Sequence, residues 1–103
     1  MTDTQDTPLQ LQREGAIATL TFHRPAALNA IDVPMALALR DAVRALAQDR
    51  ALRCVVLEGA GRAFMAGGDL DTLAADPVRG AAELLAPLNE AVALLGQLDA
   101  PVI

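Results

Sequence analysis

The chain has 103 residues, with 8 basic against 13 acidic side chains for a net charge of −5, one Cys, one His and neither Trp nor Tyr. The basic residues are all arginines, scattered without a run, and only Phe22 and Phe64 offer a ring to stack on a base, which excludes a nucleic-acid-binding role. A lone Cys closes no intrachain disulfide and a lone His leaves too few N and S ligands for structural zinc. The longest uncharged stretches, 15–23 and 91–98, fall far short of the roughly 20 apolar residues of a membrane span.

Residues 1–8 are polar and acidic, close on Pro8, and read as a disordered lead-in with no secretory signal, so the expected compartment is the reducing cytoplasm. From Leu9 the pattern alternates to Arg13-Glu14-Gly15, a strand and a tight turn, and resumes over 16–22 with Ala18, Leu20 and Phe22 on one face. Together these form a β-hairpin. Arg24-Pro25 stops the second strand, because proline lacks the ladder donor, and a loop AALNAI follows.

Asp32 ahead of Pro34 is a helix-start signal, and Met35, Leu39, Ala42, Val43 and Leu46 then fall on one stripe of a helix over 33–49. Residues 52–57 are nearly continuous apolar sequence, as expected for a parallel strand covered on both faces. Four glycines punctuate 59–68, and a short helical turn LDTLAA leads to Asp76-Pro77. A second long helix spans 78–98 with Leu84, Leu88, Ala91, Val92, Leu95 and Leu98 inward; Pro87 should kink it or divide it in two. Pro101-Val102-Ile103 reads as the start of another buried strand.

Strand, helix and strand in this order make the fold class α/β, with 9–103 as one body. Its hydrophobic content of 53% exceeds what so small a domain can bury. The excess points to a missing neighbour, either copies of itself or the further layers of a larger body.

The segment GAGRAFMAGGDL follows a buried strand, yet Phe64 stands where a dinucleotide fingerprint needs its third glycine, and no Gly-Lys-Ser/Thr is present for a nucleoside triphosphate. Two readings stay open. Main-chain amides at Gly67-Gly68-Asp69 can serve an oxyanion, or the segment is an ordinary βα turn with Asp69 as a helix cap. His23 has no Ser, Cys or carboxylate pair to join as a triad. Cys54 lies in an apolar run and reads as a core residue. The Asp69 and Asp71 spacing puts the two side chains on different sides of a helix, which argues weakly for paired acid/base work. Arg24 and Arg62 adjoin these loops and can meet an anionic ligand or simply be solvated.

Three segments in order, AIATLTFHRPAALNAID, CVVLEGAGRAFMAGGDL and LGQLDAPVI, resemble the N-terminal part of the crotonase superfamily, the enoyl-CoA hydratase/isomerase family, over about 9–103. The resemblance implies a partial crotonase-like fold, the N-terminal ββα units of a spiral. Members bind acyl-CoA thioesters and assemble as homo-oligomers, trimers or pairs of trimers. It implies that two backbone N–H groups hold the enolate oxygen and that Gly68 donates the first. Ala26, Ala27 and Leu28 would line the CoA side, with Ala66, Gly67, Asp69 and Leu70 around the rest of the ligand. No metal or separate cofactor is implied, since coenzyme A enters as part of the substrate, and neither nucleic acid nor membrane is a partner.

Relatives often carry a basic residue at the position of Ala26, which leaves Arg24 or Arg62 to meet a phosphate. They also continue past a sequence like APVI into the second oxyanion donor and the acid/base carboxylates. The expectation is therefore an enoyl-CoA hydratase/isomerase-like chain, truncated and inactive as 103 residues, whose reaction (lyase or isomerase) stays open. The alternative is a non-catalytic relic or self-assembling structural fragment.

Overall fold

The computed structural model describes residues 7–69, 74 and 76–103. The hairpin forms from β1 (Leu9–Glu14) and β2 (Ile17–Phe22), antiparallel with Leu11 opposite Leu20, and Gly15 takes a left-handed φ of 60° at the turn between them. The pairing runs one step further upstream, where His23 N–H donates to the Pro8 carbonyl at 2.7 Å. Helix α1 (Val33–Ala47) then crosses over to β3 (Cys54–Gly59), which pairs parallel to β2 with Ala18 beside Val55 and Leu20 beside Leu57. The sheet order is β1-β2-β3. Val102 forms a parallel bridge to Val55 on the free side of β3, where the expected last strand begins.

Helix α1 starts as its sequence dictates: the Asp32 side chain accepts from Met35 N–H at 3.0 Å, satisfying an amide that has no partner inside the helix. Helix α2 (Pro77–Gln97) is capped in the same way by Asp76 at 3.1 Å from Arg79 N–H. It runs unbroken through Pro87, so the expected division into two helices does not occur.

Ala18, Leu20 and Phe22 of β2 share one core with Val55 of β3, Met35, Leu39, Val43 and Leu46 of α1, and Leu84 and Ala91 of α2. This is the face the two-residue period assigns to β2. On α2 the buried line is Gly80, Leu84, Pro87 and Ala91, and Val92, one position further round the helix, is 57% exposed rather than inward. β3 also departs from expectation. Val55 is fully buried while Cys54 and Val56 on its opposite face are only half-buried, because the helices share their core with one side of the sheet. The short turn expected over LDTLAA and Asp71 lies outside the described residues. No helix among the described residues is long and apolar enough to cross a membrane.

Candidate functional site

β2 and β3 are parallel, so their carboxyl ends share one edge of the sheet, and the segments leaving them, 23–32 and 60–69, meet there. In α/β sheets this edge is where ligands bind, because the loops diverge from the strand ends and leave a crevice between them. The first segment makes a 3-10 turn at Pro25–Ala27, then passes through two left-handed residues, Leu28 (φ 54°) and Asn29 (φ 58°). Asparagine tolerates this region better than most residues.

Asn29 is completely buried. Its Oδ1 accepts from Arg24 N–H at 2.7 Å, and its Nδ2 donates to the carbonyls of Ala60 at 2.8 Å and Ala63 at 2.7 Å. One side chain thus ties the proline loop to the glycine loop. The glycine loop folds close upon itself at Gly59, where a Cβ would stand 2.4 Å from the Phe64 carbonyl oxygen. Phe64 sits edge-on to Phe22, with centroids 5.5 Å apart and planes at 84°.

Beyond this contact the two segments pair. Ile31 N–H donates to the Gly67 carbonyl at 2.7 Å, and Asp69 N–H donates to the Ile31 carbonyl at 2.8 Å, a parallel bridge centred on Ile31 and Gly68. In this pattern the residue between the two bonded neighbours turns its own N–H and C=O to the other side. The Gly68 amide therefore faces away from Ile31, is exposed, and meets no acceptor among the described residues. Gly67, at φ 103°, supplies the reversal that only glycine adopts without strain.

Charge at this edge is organised by Arg24. Its Nη1 lies 2.5 Å from the Ala30 carbonyl and 3.1 Å from Asp69 Oδ2, and its Nε lies 3.4 Å from Asp32 Oδ2, the other oxygen of the carboxylate that caps α1. Arg24, expected at an anionic ligand, is thus committed to two carboxylates, whereas Arg62 is exposed.

Of the remaining expected residues, Ala26 is exposed and Ala27 and Leu28 are half-buried on the 3-10 turn. Ala66, Gly67 and Gly68 are exposed, and Asp69 is half-buried. Leu70 lies outside the described residues. The structure brings both groups to the same edge. Sequence reasoning did not find the buried role of Asn29, the pairing of Ile31 with Gly68, or the Arg24–Asp69 contact. The one available signal was an asparagine inside a loop that otherwise carries apolar residues.

A cavity of about 740 Å³ lies at the opposite, amino-terminal edge of β3, lined by Asp49, Arg50, Leu52, Arg53, Leu94 and Leu98 among others. Among the described residues no three His, Cys, Asp or Glu side chains are placed to hold a metal ion.

Residues 17–103 match the family model described as Enoyl-CoA hydratase/isomerase. The chain is 36% identical over 94 residues to the 1,2-epoxyphenylacetyl-CoA isomerase of Escherichia coli K12, covering 87% of this chain and 36% of the relative. It is 37% identical over 70 residues to a probable 3-hydroxyisobutyryl-CoA hydrolase of Arabidopsis thaliana, covering 68% of this chain and 18% of that one. Its fold superposes on the crystal structure of an enoyl-CoA hydratase from Mycobacterium smegmatis with a TM-score of 0.85 and 39% identity, over 92% of this chain and 38% of the other. The chain spans 36% of the length of the isomerase, 18% of the hydrolase and 38% of the hydratase. The ordered motifs, the α/β architecture and the matched span together place the chain in the enoyl-CoA hydratase/isomerase family of the crotonase superfamily.

Proposed function

We propose that this chain binds the thioester end of an acyl-CoA and that the Gly68 N–H is one of the donors stabilising the enolate formed at the thioester carbonyl. The observation that carries the reading is the Gly68 amide at the carboxyl edge of two parallel strands, turned outward by the Ile31 bridge and without an acceptor among the described residues. An N–H fixed in this way strengthens its bond as negative charge moves onto the oxygen, so it stabilises the transition state more than the bound substrate. Preorganised donors of this kind contribute roughly 10²–10³ in rate. A backbone donor also explains why the loop is built of Gly and Ala.

In this reading Ala26, Ala27 and Leu28 form the surface that meets the coenzyme, while Ala66, Gly67, Asp69 and Leu70 border the thioester and adenine. The relatives named above differ in reaction but all carry CoA thioesters in their names, which supports the substrate class and leaves the reaction open. Among the described residues of this edge, Asp32 and Asp69 both face Arg24 and Glu58 accepts from the Thr21 hydroxyl, so the 103 residues by themselves are expected to bind without turnover. Assembly as a homo-oligomer, a trimer or pair of trimers, belongs to the same proposal. Val78, Leu85 and Val92, seven residues apart along the outer side of α2, are its support.

The test is a titration of the ¹⁵N-labelled chain with butyryl-CoA, and with S-butyl-CoA, a thioether that lacks the carbonyl. The Gly68 amide resonance is expected to move downfield with the thioester alone. Equal displacement by both ligands, or none by either, contradicts the reading.

A further inference from the structure

We infer that Arg24 is a positioning residue for the Gly68 donor, acting through Asp69 rather than by touching the ligand; this rests on the reading of Gly68 given above. Four contacts converge on it. The guanidinium reaches Asp69 at 3.1 Å, Asp32 at 3.4 Å and the Ala30 carbonyl at 2.5 Å, and its own backbone N–H is held by Asn29 at 2.7 Å. The residues at the far ends of these contacts flank the bridge: Ala30 precedes Ile31, Asp32 follows it, and Asp69 follows Gly68. Arg24 therefore clamps both sides of the short parallel pair that turns the Gly68 amide outward.

The planar fork is what makes this possible. A guanidinium directs several N–H groups at fixed angles and holds more than one acceptor at once, which a single ammonium does not reproduce with the same geometry. Its side chain is only 25% exposed, so water competes little for these contacts. The charge matters as well. Asp69 adjoins the donor, and an uncompensated carboxylate there would repel an anion forming at Gly68. Arg24 turns that carboxylate inward and neutralises it.

Two variants separate this role from others, Arg24→Gln and the nearly isosteric Asp69→Asn, which carries the test if the first does not fold. Residue-resolved hydrogen exchange in the full chain compares the bridge amides of Ile31 and Asp69 with that of Val55, which bonds to Pro101 elsewhere in the sheet. Both variants are expected to speed exchange at Ile31 and Asp69 about tenfold while Val55 stays unchanged, the signature of a local opening. In binding, the unaltered chain is expected to prefer butyryl-CoA over S-butyl-CoA by roughly fivefold, the size of one net hydrogen bond. Arg24→Gln should lose that preference while its affinity for S-butyl-CoA stays within about twofold, and Asp69→Asn, which itself borders the ligand, should lose the preference whatever its affinity for S-butyl-CoA. The double variant should lose no more than Arg24→Gln alone, since Asp69→Asn removes one of the contacts that Arg24 makes.

A parallel fall in affinity for both ligands would make Arg24 a coenzyme ligand and overturn the proposal. So would unchanged exchange at the bridge, or exchange rising equally at Val55. If the unaltered chain shows no preference for the thioester, the reading of Gly68 itself fails, and the positioning role falls with it even where the exchange result holds.

Discussion

The side-chain amide of Asn29 donates to the carbonyl of Ala63 at 2.7 Å across 34 residues of chain. With its bonds to Ala60 and Arg24 it fixes the distance between the two loops from which the site is built. Asn29→Ala would strand two half-buried carbonyls and one N–H and place alanine at φ 58°. The expected loss of stability is about 2–4 kcal/mol, read from the urea midpoint.

Gly59 has no room for a side chain. A Cβ there would stand 2.4 Å from the Phe64 carbonyl oxygen and 2.5 Å from that of Ala63, and both are backbone atoms that move only with the loop. Gly59→Ala is expected to destabilise by about 2 kcal/mol or more and to loosen the Phe22–Phe64 contact. Thermal unfolding and the chemical shifts of the two rings check both effects.

Arg44 on α1 binds Glu90 on α2 through two hydrogen bonds, one of them 2.7 Å from Nη2 to Oε1. The hydrogen bond from Arg44 holds the Glu90 carboxyl below its ordinary value of 4.5. A carboxyl lowered in the folded state contributes stability above its unfolded pKa and loses it as pH falls through the lower, folded one. The stability difference between the unaltered chain and Glu90→Gln should therefore be largest at neutral pH and close as the pH falls below the ordinary value of 4.5. Because the pair is exposed, salt should also narrow it. Denaturant midpoints across pH and ionic strength check this.

Gly68→Ala keeps the backbone N–H and Gly68→Pro deletes it. The proline variant is expected to lose roughly fivefold in affinity for butyryl-CoA relative to S-butyl-CoA, and the alanine variant to retain most of that preference. Calorimetric titration of the four combinations decides it.

Much of the fold was legible because periodicity records burial. The alternation through β2 and the 3.6-residue stripe of α1 named Leu20, Phe22, Met35 and Val43 as core, and all four are buried. Of the two outcomes Pro87 implies, a kink or a division, the division does not occur, because the proline is buried and the helix continues on either side. Val92 misled because the inward stripe was drawn one residue too wide.

The site was legible only as chemistry types. Gly67 and Gly68 signalled main-chain function, but which amide is free depends on the Ile31 bridge, a pairing between segments 37 residues apart that no local pattern encodes. The same holds for Arg24. Beside a proline and a loop it has the look of a ligand-binding cation, and only the folded position of Asp32 and Asp69 shows where its charge is spent.

The most direct test of the Gly68 assignment is a crystal structure of the full chain with butyryl-CoA bound. The account predicts the thioester oxygen about 2.7–3.1 Å from Gly68 N and in line with its N–H. A thioester carbonyl bound elsewhere, with the Gly68 amide bonded back into its own loop, would contradict it.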